Sequence, residues 1–284
     1  MECPRCQAAN EPEARFCASC GAALIAPEAA AEVLPLLEDG GALRPKTLGD
    51  LVSSTFRLYA DNFAPLLVMS FLAQTPSLAA EVTPAPLSWL FTVVGLVLLF
   101  LVAGPMVHAV AQATLGREIR LDECVGRARQ RVAYLIVAAI IVLLLFVGAA
   151  LLSLLLVGIP LFIYLMVALA FYVHAIMFEG ADGISALSRS RELVRGSWWR
   201  VFGIMLVFGI ISGVILMVVS IPGFILAWSD LASGSINSLA GIYFGVINII
   251  ALPVGLIAGT LIYFDLRVRK EGYTLEQLAA DVDG

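Results

Sequence analysis

Charged residues are scarce in this chain of 284 residues, and their scarcity excludes most soluble folds. Only 14% of the residues are Asp, Glu, Lys or Arg, whereas soluble domains contain about 25%. Hydrophobic residues make up 61% of the chain, and the mean hydropathy is +0.96. A soluble core cannot bury so much apolar surface, so the composition predicts an all-α integral membrane protein.

Two long segments contain no charged residue at all. Residues 132–178 and 201–229 lack Asp, Glu, Lys and Arg, and about 20 apolar residues suffice to cross the hydrocarbon core. The first segment is therefore long enough to cross twice. In the first span, Gln74 and Pro76 favour a kinked or partly inserted helix. The six predicted transmembrane helices are 63–80, 87–113, 132–157, 159–178, 198–221 and 239–264.

Basic residues are missing from one side of these spans. The predicted loops at 81–86, 158 and 230–238 contain no Lys or Arg, and all 17 basic residues fall on the other side. By the positive-inside rule that side is the cytosol. We therefore expect a multi-pass protein of the cytoplasmic membrane, in contact with the lipid bilayer and with both termini cytosolic. No segment is basic enough to predict a nucleic-acid partner.

A secretory signal is also missing from Met1–Ala26, which instead contains two CxxC turns. Cys3, Cys6, Cys17 and Cys20 have the spacing of a zinc ribbon. Four thiolates complete a closed tetrahedral shell around a structural Zn²⁺. The alternative is two disulfides, which suit an oxidising compartment rather than the cytosol.

These patterns divide the chain into three parts. We predict a zinc ribbon over 1–24, a flexible linker rich in Ala, Glu, Pro and Gly over 25–45, and a six-helix membrane domain over 46–284. Metal binding would supply the folding energy that so small a ribbon lacks.

A short amphipathic pattern recurs before the first, third and fifth spans and at the carboxyl end. Apolar positions spaced 0, 3, 4 and 7 begin at Leu48, Leu121 and Leu275, and a looser version begins at Ile184. The predicted fold is therefore three hairpins of spans, each preceded by an amphipathic helix at the cytoplasmic membrane interface. Thr47 and Thr274 have the spacing of capping boxes.

Candidate chemical groups are few. Cys124 occupies an apolar position of the repeat, which favours a buried thiol over a reactive one. His108 and His174 could form a metal or proton site, but hydrogen bonds to neighbouring helices are the simpler interpretation. Pairs of glycines four residues apart, at 209/213, 241/245 and 255/259, predict close helix packing. No catalytic motif is present, so we expect no enzymatic activity and no catalytic residue.

Two stretches carry a family resemblance: ALSRSRELVRGSWWRVFGI at 186–204 and YFDLRVRKEGYTLEQLA at 263–279. They resemble the membrane domain attached to some bacterial glycerophosphoryl diester phosphodiesterases. In those enzymes the chemistry belongs to a separate barrel, which nothing in this chain matches. The resemblance therefore implies a membrane location without hydrolysis.

Three functions are compatible with these features. The first is a non-enzymatic scaffold or regulatory membrane protein whose ribbon binds a cytosolic protein partner. The second is a channel or carrier for lipid-like or small apolar solutes, with Gln74, Gln112, Asn248 and Thr260 as polar candidates along its path. The third, an accessory subunit of a lipid-related enzyme, rests on the family resemblance alone.

Overall fold

The computed structural model describes residues 45–84, 87–154, 156, 158–233 and 239–283. The predicted ribbon and nearly all of the predicted linker lie outside these residues. Within the described ranges the chain is α-helical, without strands. The helices are α1 (Leu48–Asp61), α2 (Phe63–Val82), α3 (Leu87–Thr114), α4 (Leu121–Gln130), α5 (Val132–Ser153), α6 (Gly158–Ala168), α7 (Tyr172–Glu179), α8 (Ser185–Val194), α9 (Trp198–Val219), α10 (Ile221–Ser233), α11 (Leu239–Glu271) and α12 (Leu275–Asp283).

Among the described residues, six segments have the length and composition of membrane spans, as expected for a multi-pass membrane protein. They are α2, α3, α5, the pair α6–α7, α9 and α11. The helix bounds differ from the predicted span ends. Helix α11 continues past residue 264 to Glu271 because i,i+4 ion pairs of Asp265 with Arg269 and Arg267 with Glu271 stabilise its polar last turns.

Helix α10 was not predicted. Its segment contains Pro222, and proline is commonly found at turns and helix kinks. Pro222 is instead the second residue of α10, where its missing N–H costs no intrahelical hydrogen bond. The proline therefore marks the beginning of a helix.

The predicted third span also ends early, at Ser153 instead of residue 157. Leu156 adopts a positive φ of 62°, and Gly158 then begins α6. A Cβ on Gly158 would lie 2.2 Å from the backbone nitrogen of Ser153. Only glycine allows α5 and α6 to approach this closely across their turn.

The predicted fourth span is broken between Ala168 and Tyr172. The hydroxyl of Ser190, on α8, accepts a hydrogen bond from Phe171 N–H at 3.0 Å and donates one to the carbonyl of Ala168 at 2.9 Å. Ser190 is 1% exposed. Broken helices in apolar surroundings need such replacement partners for their backbone groups, so a single side chain satisfies both edges of the break.

Three of the four helices of the repeat bury the same two positions. Leu51 and Thr55 in α1, Cys124 and Ala128 in α4, and Leu278 and Val282 in α12 are buried. In α8 the first of these positions, Leu187, is buried, but the second, Arg191, is exposed. Both predicted capping boxes are present, with Thr47 paired to Asp50 and Thr274 to Gln277.

Helix α1 runs antiparallel to α11. Lys46 contacts Asp265, whereas Tyr59 donates a hydrogen bond to the carbonyl of Ile250 at 2.8 Å. These two partners are 15 residues apart, or about 22 Å at 1.5 Å per residue, which matches the length of α1. The Ile250 carbonyl lies in the turn before Pro253, where the missing proline N–H weakens the helical ladder.

Burial is concentrated at one end of the bundle. The eleven residues 104–114 of α3 are all buried, as are most residues of α11 between Ile257 and Leu266. Helix α9, by contrast, has buried residues only up to Phe208. The other end therefore exposes its apolar side chains, as lipid-facing helices do.

Candidate functional site at the polar end of the bundle

Asp265 forms the most buried ionic site among the described residues, with 1% of its side chain exposed. Its Oδ1 accepts the backbone N–H of Lys46 at 2.7 Å. Arg200 donates to Oδ2 at 2.9 Å and Arg269 contacts both oxygens at 2.9 and 3.0 Å. Both arginines also donate to the carbonyl of Lys46 at 2.9 Å. The site thus fixes the segment before α1 to α9 and α11.

A second ionic network joins α7, α8 and α11. Tyr263 donates its hydroxyl to Glu179 at 2.6 Å, and Arg189 contacts the other oxygen of Glu179 at 2.5 Å. Arg189 also pairs with Glu271, which accepts a hydrogen bond from Arg267 at 3.0 Å. Burial lowers the pKa of Arg189, but the bonds to the two carboxylates outweigh it, so that the pKa is raised overall.

The carboxyl-terminal helix α12 is held by basic residues. Arg127 donates to the carbonyls of Asp281 and Val282, at 3.2 and 2.9 Å, where the helix dipole is negative. Arg117 forms two hydrogen bonds with Asp283, which lower the pKa of that exposed carboxyl. Arg267 reaches Asp281 at 3.0 Å. Helix α12 is therefore bound to the polar end of the bundle by three arginines.

Tyr273 adds an aromatic contact to this region. The guanidinium of Arg267 lies 3.8 Å from the centre of its ring, a cation–π arrangement. Its hydroxyl donates to Asp281 at 2.5 Å. Burial and this hydrogen bond raise the pKa of Tyr273, so the phenol stays protonated.

Cys124 is buried, as its place in the repeat predicted. Its thiol lies 3.4 Å from Oε1 of Gln112, the oxygen that also accepts the backbone N–H of Arg120. Burial and the nearby carboxylates of Glu123 and Asp122 raise the pKa of Cys124 to about 12. The thiol is therefore protonated and unreactive at neutral pH.

The two histidines lie in different cavities. His174 bonds to Thr260 of α11 at 3.1 Å, which confirms the predicted contact with a neighbouring helix. His108 lines a polar cavity of about 350 Å³ together with Arg127 and Asp283. Across the described ranges, no group of three or more His, Cys, Asp or Glu side chains is placed to hold a metal ion.

Two neighbouring cavities flank α9 and α11, with volumes of about 380 and 600 Å³. They share Ser212, Val254 and Gly255, and together we call them the α9–α11 groove. The first also contacts α6 and α7, and the second contacts α1, α2 and α3. The polar side chains along the groove are Tyr59, Gln74, His174, Ser212 and Asn248.

The predicted glycine contacts are only partly correct. Gly245 lies tightly against Leu78 of α2, since a Cβ there would come within 2.3 Å of that side chain. A Cβ on Gly209, Gly213 or Gly255 would meet no atom within 4 Å. The prediction of close packing is therefore wrong at these three positions, and two of them, Gly209 and Gly255, line the groove instead.

Sequence reasoning placed some of these residues and missed others. Of the four polar residues predicted to lie along a path, Gln74 and Asn248 line one cavity of the groove, and Thr260 contacts His174 in the other. Gln112 lies apart, beside Cys124. The Lys46–Asp265 contact was missed because no local pattern links two residues so far apart in the chain. The i,i+4 spacing of Asp265 and Arg269 was its one available signal.

The fold and site define an α-helical protein with six candidate membrane spans and an ion-paired end. Residues 63–267, more than two thirds of the chain, match the family described as Domain of unknown function (DUF7847), and the chain belongs to this family. Residues 3–24 match the zinc-ribbon domain. Searches of curated proteins and of solved structures gave no match.

The zinc-ribbon match supports zinc binding by the amino-terminal segment. The predicted ligands, Cys3, Cys6, Cys17 and Cys20, lie outside the described residues. Their chemistry fits the metal, because four cysteine thiolates are a preferred donor set for structural Zn²⁺.

Proposed function

We propose that this is a non-enzymatic membrane protein of scaffold or regulatory type, whose zinc ribbon binds a cytosolic protein partner. The observation that carries the proposal is the contact of Lys46 with Asp265. It fixes the chain at the point where the predicted linker ends, so a ribbon on that linker stays within reach of the polar end. A partner bound by the ribbon would then meet the surface formed by α4, α8 and α12.

The ribbon would hold zinc through Cys3, Cys6, Cys17 and Cys20. The ion supplies folding energy and closes the two CxxC turns into one unit. A shell of four thiolates leaves no position for a catalytic water, which is why a binding role is proposed rather than a reaction.

The proposed location is the cytoplasmic membrane, with both termini and the polar end in the cytosol. The clustering of Arg117, Arg127, Arg189, Arg200 and Arg267 at that end supports this orientation under the positive-inside rule. We also propose that the spans pair as hairpins, each preceded by an amphipathic helix at the membrane interface. Contacts of α2 with α3 and of α5 with α6 support this pairing.

Fusions of a reporter protein test this orientation. A fusion after Ser233 should report export, and a fusion after Asp283 should report the cytosol. A cytosolic signal from both positions would refute the proposed topology.

Crosslinking in cells tests the role of the ribbon. Cys17→Ser removes one zinc ligand, so partners captured by the intact protein should be lost. Ser19→Ala changes the same CxxC turn but keeps all four cysteines and should capture the wild-type set. Identical partners for the Cys17→Ser and wild-type proteins would refute the binding role.

A carrier for lipid-like or small apolar solutes is the second candidate. The observation that favours it is the shared cavity of Gln74 and Asn248, and liposome flux assays test it. An accessory subunit of a lipid-related enzyme is a third proposal, supported only by the resemblance to the phosphodiesterase membrane domain.

A further inference from the structure

The α9–α11 groove has apolar walls and no charged lining. Among the described residues that line its two cavities, none is Asp, Glu, Lys or Arg. An anionic headgroup such as a phosphate is usually paired with arginine or lysine side chains. The groove therefore suits a ligand without net charge.

His174 lines the first cavity and carries one buried polar atom without a hydrogen-bond partner among the described residues. The side chain is 3% exposed, and its Nδ1 has no hydrogen-bond partner in the described part of the chain. The hydroxyl of Thr260 donates to the carbonyl of Leu256 at 2.8 Å. Its oxygen is then free to accept the Nε2–H of His174 at 3.1 Å. In the neutral imidazole this leaves Nδ1 as an acceptor, so its missing partner is a donor.

Glycines form the wall beside this histidine. A Cβ on Gly259 would lie 3.9 Å from Cε1 of His174, the ring carbon between Nδ1 and Nε2. Further along the groove, a Cβ on Gly255 would meet no atom within 4 Å. Because these glycines carry no side chain, the ring edge borders the cavity and space continues past Gly255.

The length of the groove agrees with that of a lipid chain. Thr260, which bonds to His174, and Asn248, which lines the second cavity, are 12 residues apart on α11. At 1.5 Å per residue they are separated by about 18 Å. One leaflet of the hydrocarbon core is about 15 Å thick, half of the roughly 30 Å of the bilayer.

We infer that the α9–α11 groove binds an uncharged lipid that carries a free hydroxyl, of which diacylglycerol is the simplest membrane example. The hydroxyl donates to Nδ1 of His174, and the acyl chains extend past Gly255 towards Gln74 and Asn248. Binding at this site requires neither the zinc ribbon nor net transport, so it goes beyond the function proposed above.

Photolabelling of the full-length protein in phosphatidylcholine vesicles tests the site. A photoactivatable diacylglycerol should label peptides of α9 and α11. Unlabelled diacylglycerol should compete, whereas phosphatidic acid with the same chains should not, because its phosphate replaces the hydroxyl. Equal competition by phosphatidic acid, or no labelling of these helices, would overturn the inference.

Variants of the two histidines separate the hydrogen bond from general effects of substitution. His174→Phe keeps an aromatic ring but removes the acceptor, so about tenfold more diacylglycerol should be needed for the same labelling, equivalent to about 1.4 kcal/mol. His108→Phe is the matched control, since His108 is also buried with an unpaired Nδ1 but lies outside the groove. It should label like the wild type.

A second pair of variants tests the space itself, and remains informative if His174→Phe does not fold. Gly255→Leu fills the groove and should abolish labelling. Gly148→Leu is its control, because a Cβ on Gly148 of α5 also meets nothing within 4 Å and Gly148 does not line the groove. Unchanged labelling of Gly255→Leu would refute the site, as would crosslinks showing that a second copy of the chain occupies it. If the protein binds diacylglycerol but does not move it across the bilayer in a flux assay, only the carrier function proposed above is refuted.

Discussion

The backbone N–H of Lys46 donates a hydrogen bond to Oδ1 of Asp265, 219 positions further along the chain, at a distance of 2.7 Å. The same carboxylate is paired with Arg200 and Arg269. One buried acid therefore holds the beginning of the described chain, the start of α9 and the end of α11. Its removal should affect all three elements together.

Asp265→Asn should lower the free energy of unfolding by about 3 kcal/mol, the lower end of the range for breaking a buried ion pair. The lower end applies because the side chains of Arg200 and Arg269 are 36% and 34% exposed. Unfolding in mixed micelles measures the change. Asp61→Asn is the control: its pair with Arg57 is 3.9 Å apart and about half exposed, and its loss should cost less than about 1 kcal/mol. Equal effects of the two variants would contradict the role given to Asp265.

Ser190→Ala should destabilise the protein by about 2 kcal/mol, because it leaves the Ala168 carbonyl and the Phe171 N–H without their partner. Hydrogen exchange at the Phe171 amide should also accelerate. The hydroxyl of the exposed Ser188 donates to the carbonyl of Ser185 in the same helix, so Ser188→Ala should leave stability and exchange near the wild-type values. If the Phe171 amide exchanges as slowly in Ser190→Ala as in the wild type, other groups stabilise the break in the fourth span.

Alkylation counted by mass spectrometry should divide the five cysteines into two classes. With its pKa raised to about 12, Cys124 should not react in the folded protein at pH 8. We expect no adduct on the zinc-loaded protein, four after chelation of the metal, and a fifth only after unfolding. The Cys124→Ala variant should lose only the fifth adduct, the one that forms after unfolding. An adduct on Cys124 in the folded state would show that the thiol is accessible.

The attachment of α12 should weaken in acid. The hydrogen bonds from Arg117 lower the pKa of Asp283 below its ordinary value of 3.8, so the ionised carboxylate favours the docked helix. This contribution is complete above the pKa of the unfolded chain and is lost as the pH falls through the lowered pKa of the folded state. Hydrogen exchange over residues 275–283, corrected for intrinsic rates, should rise in that range.

Two further conditions test the same contact. Arg117→Gln should remove most of the pH dependence, since the carboxyl then loses the partner that shifts it. High salt should weaken this exposed pair at neutral pH. If hydrogen exchange in α12 depends on pH equally in the wild type and in Arg117→Gln, another group controls the docking of this helix.

The spans were predictable because a run of about 20 apolar residues leaves few other structures open in a membrane. The capping boxes at Thr47 and Thr274 were also predictable, since they depend on residues only three positions apart. The break between Ala168 and Tyr172 was not, because it occurs inside a uniformly apolar run and depends on Ser190 from another helix. Likewise, the α9–α11 groove depends on how helices distant in sequence pack together, and the glycine spacing indicated close packing there instead.

Ser190 also links two parts of the molecule mechanically. Because one hydroxyl serves both edges of the break in the fourth span, α8 cannot slide by a residue without leaving two backbone groups unpaired in apolar surroundings. A displacement of α8 relative to α6 therefore costs the hydrogen bonds at both edges of the break. This cost couples the position of the polar helix α8 to that of the apolar helix α6.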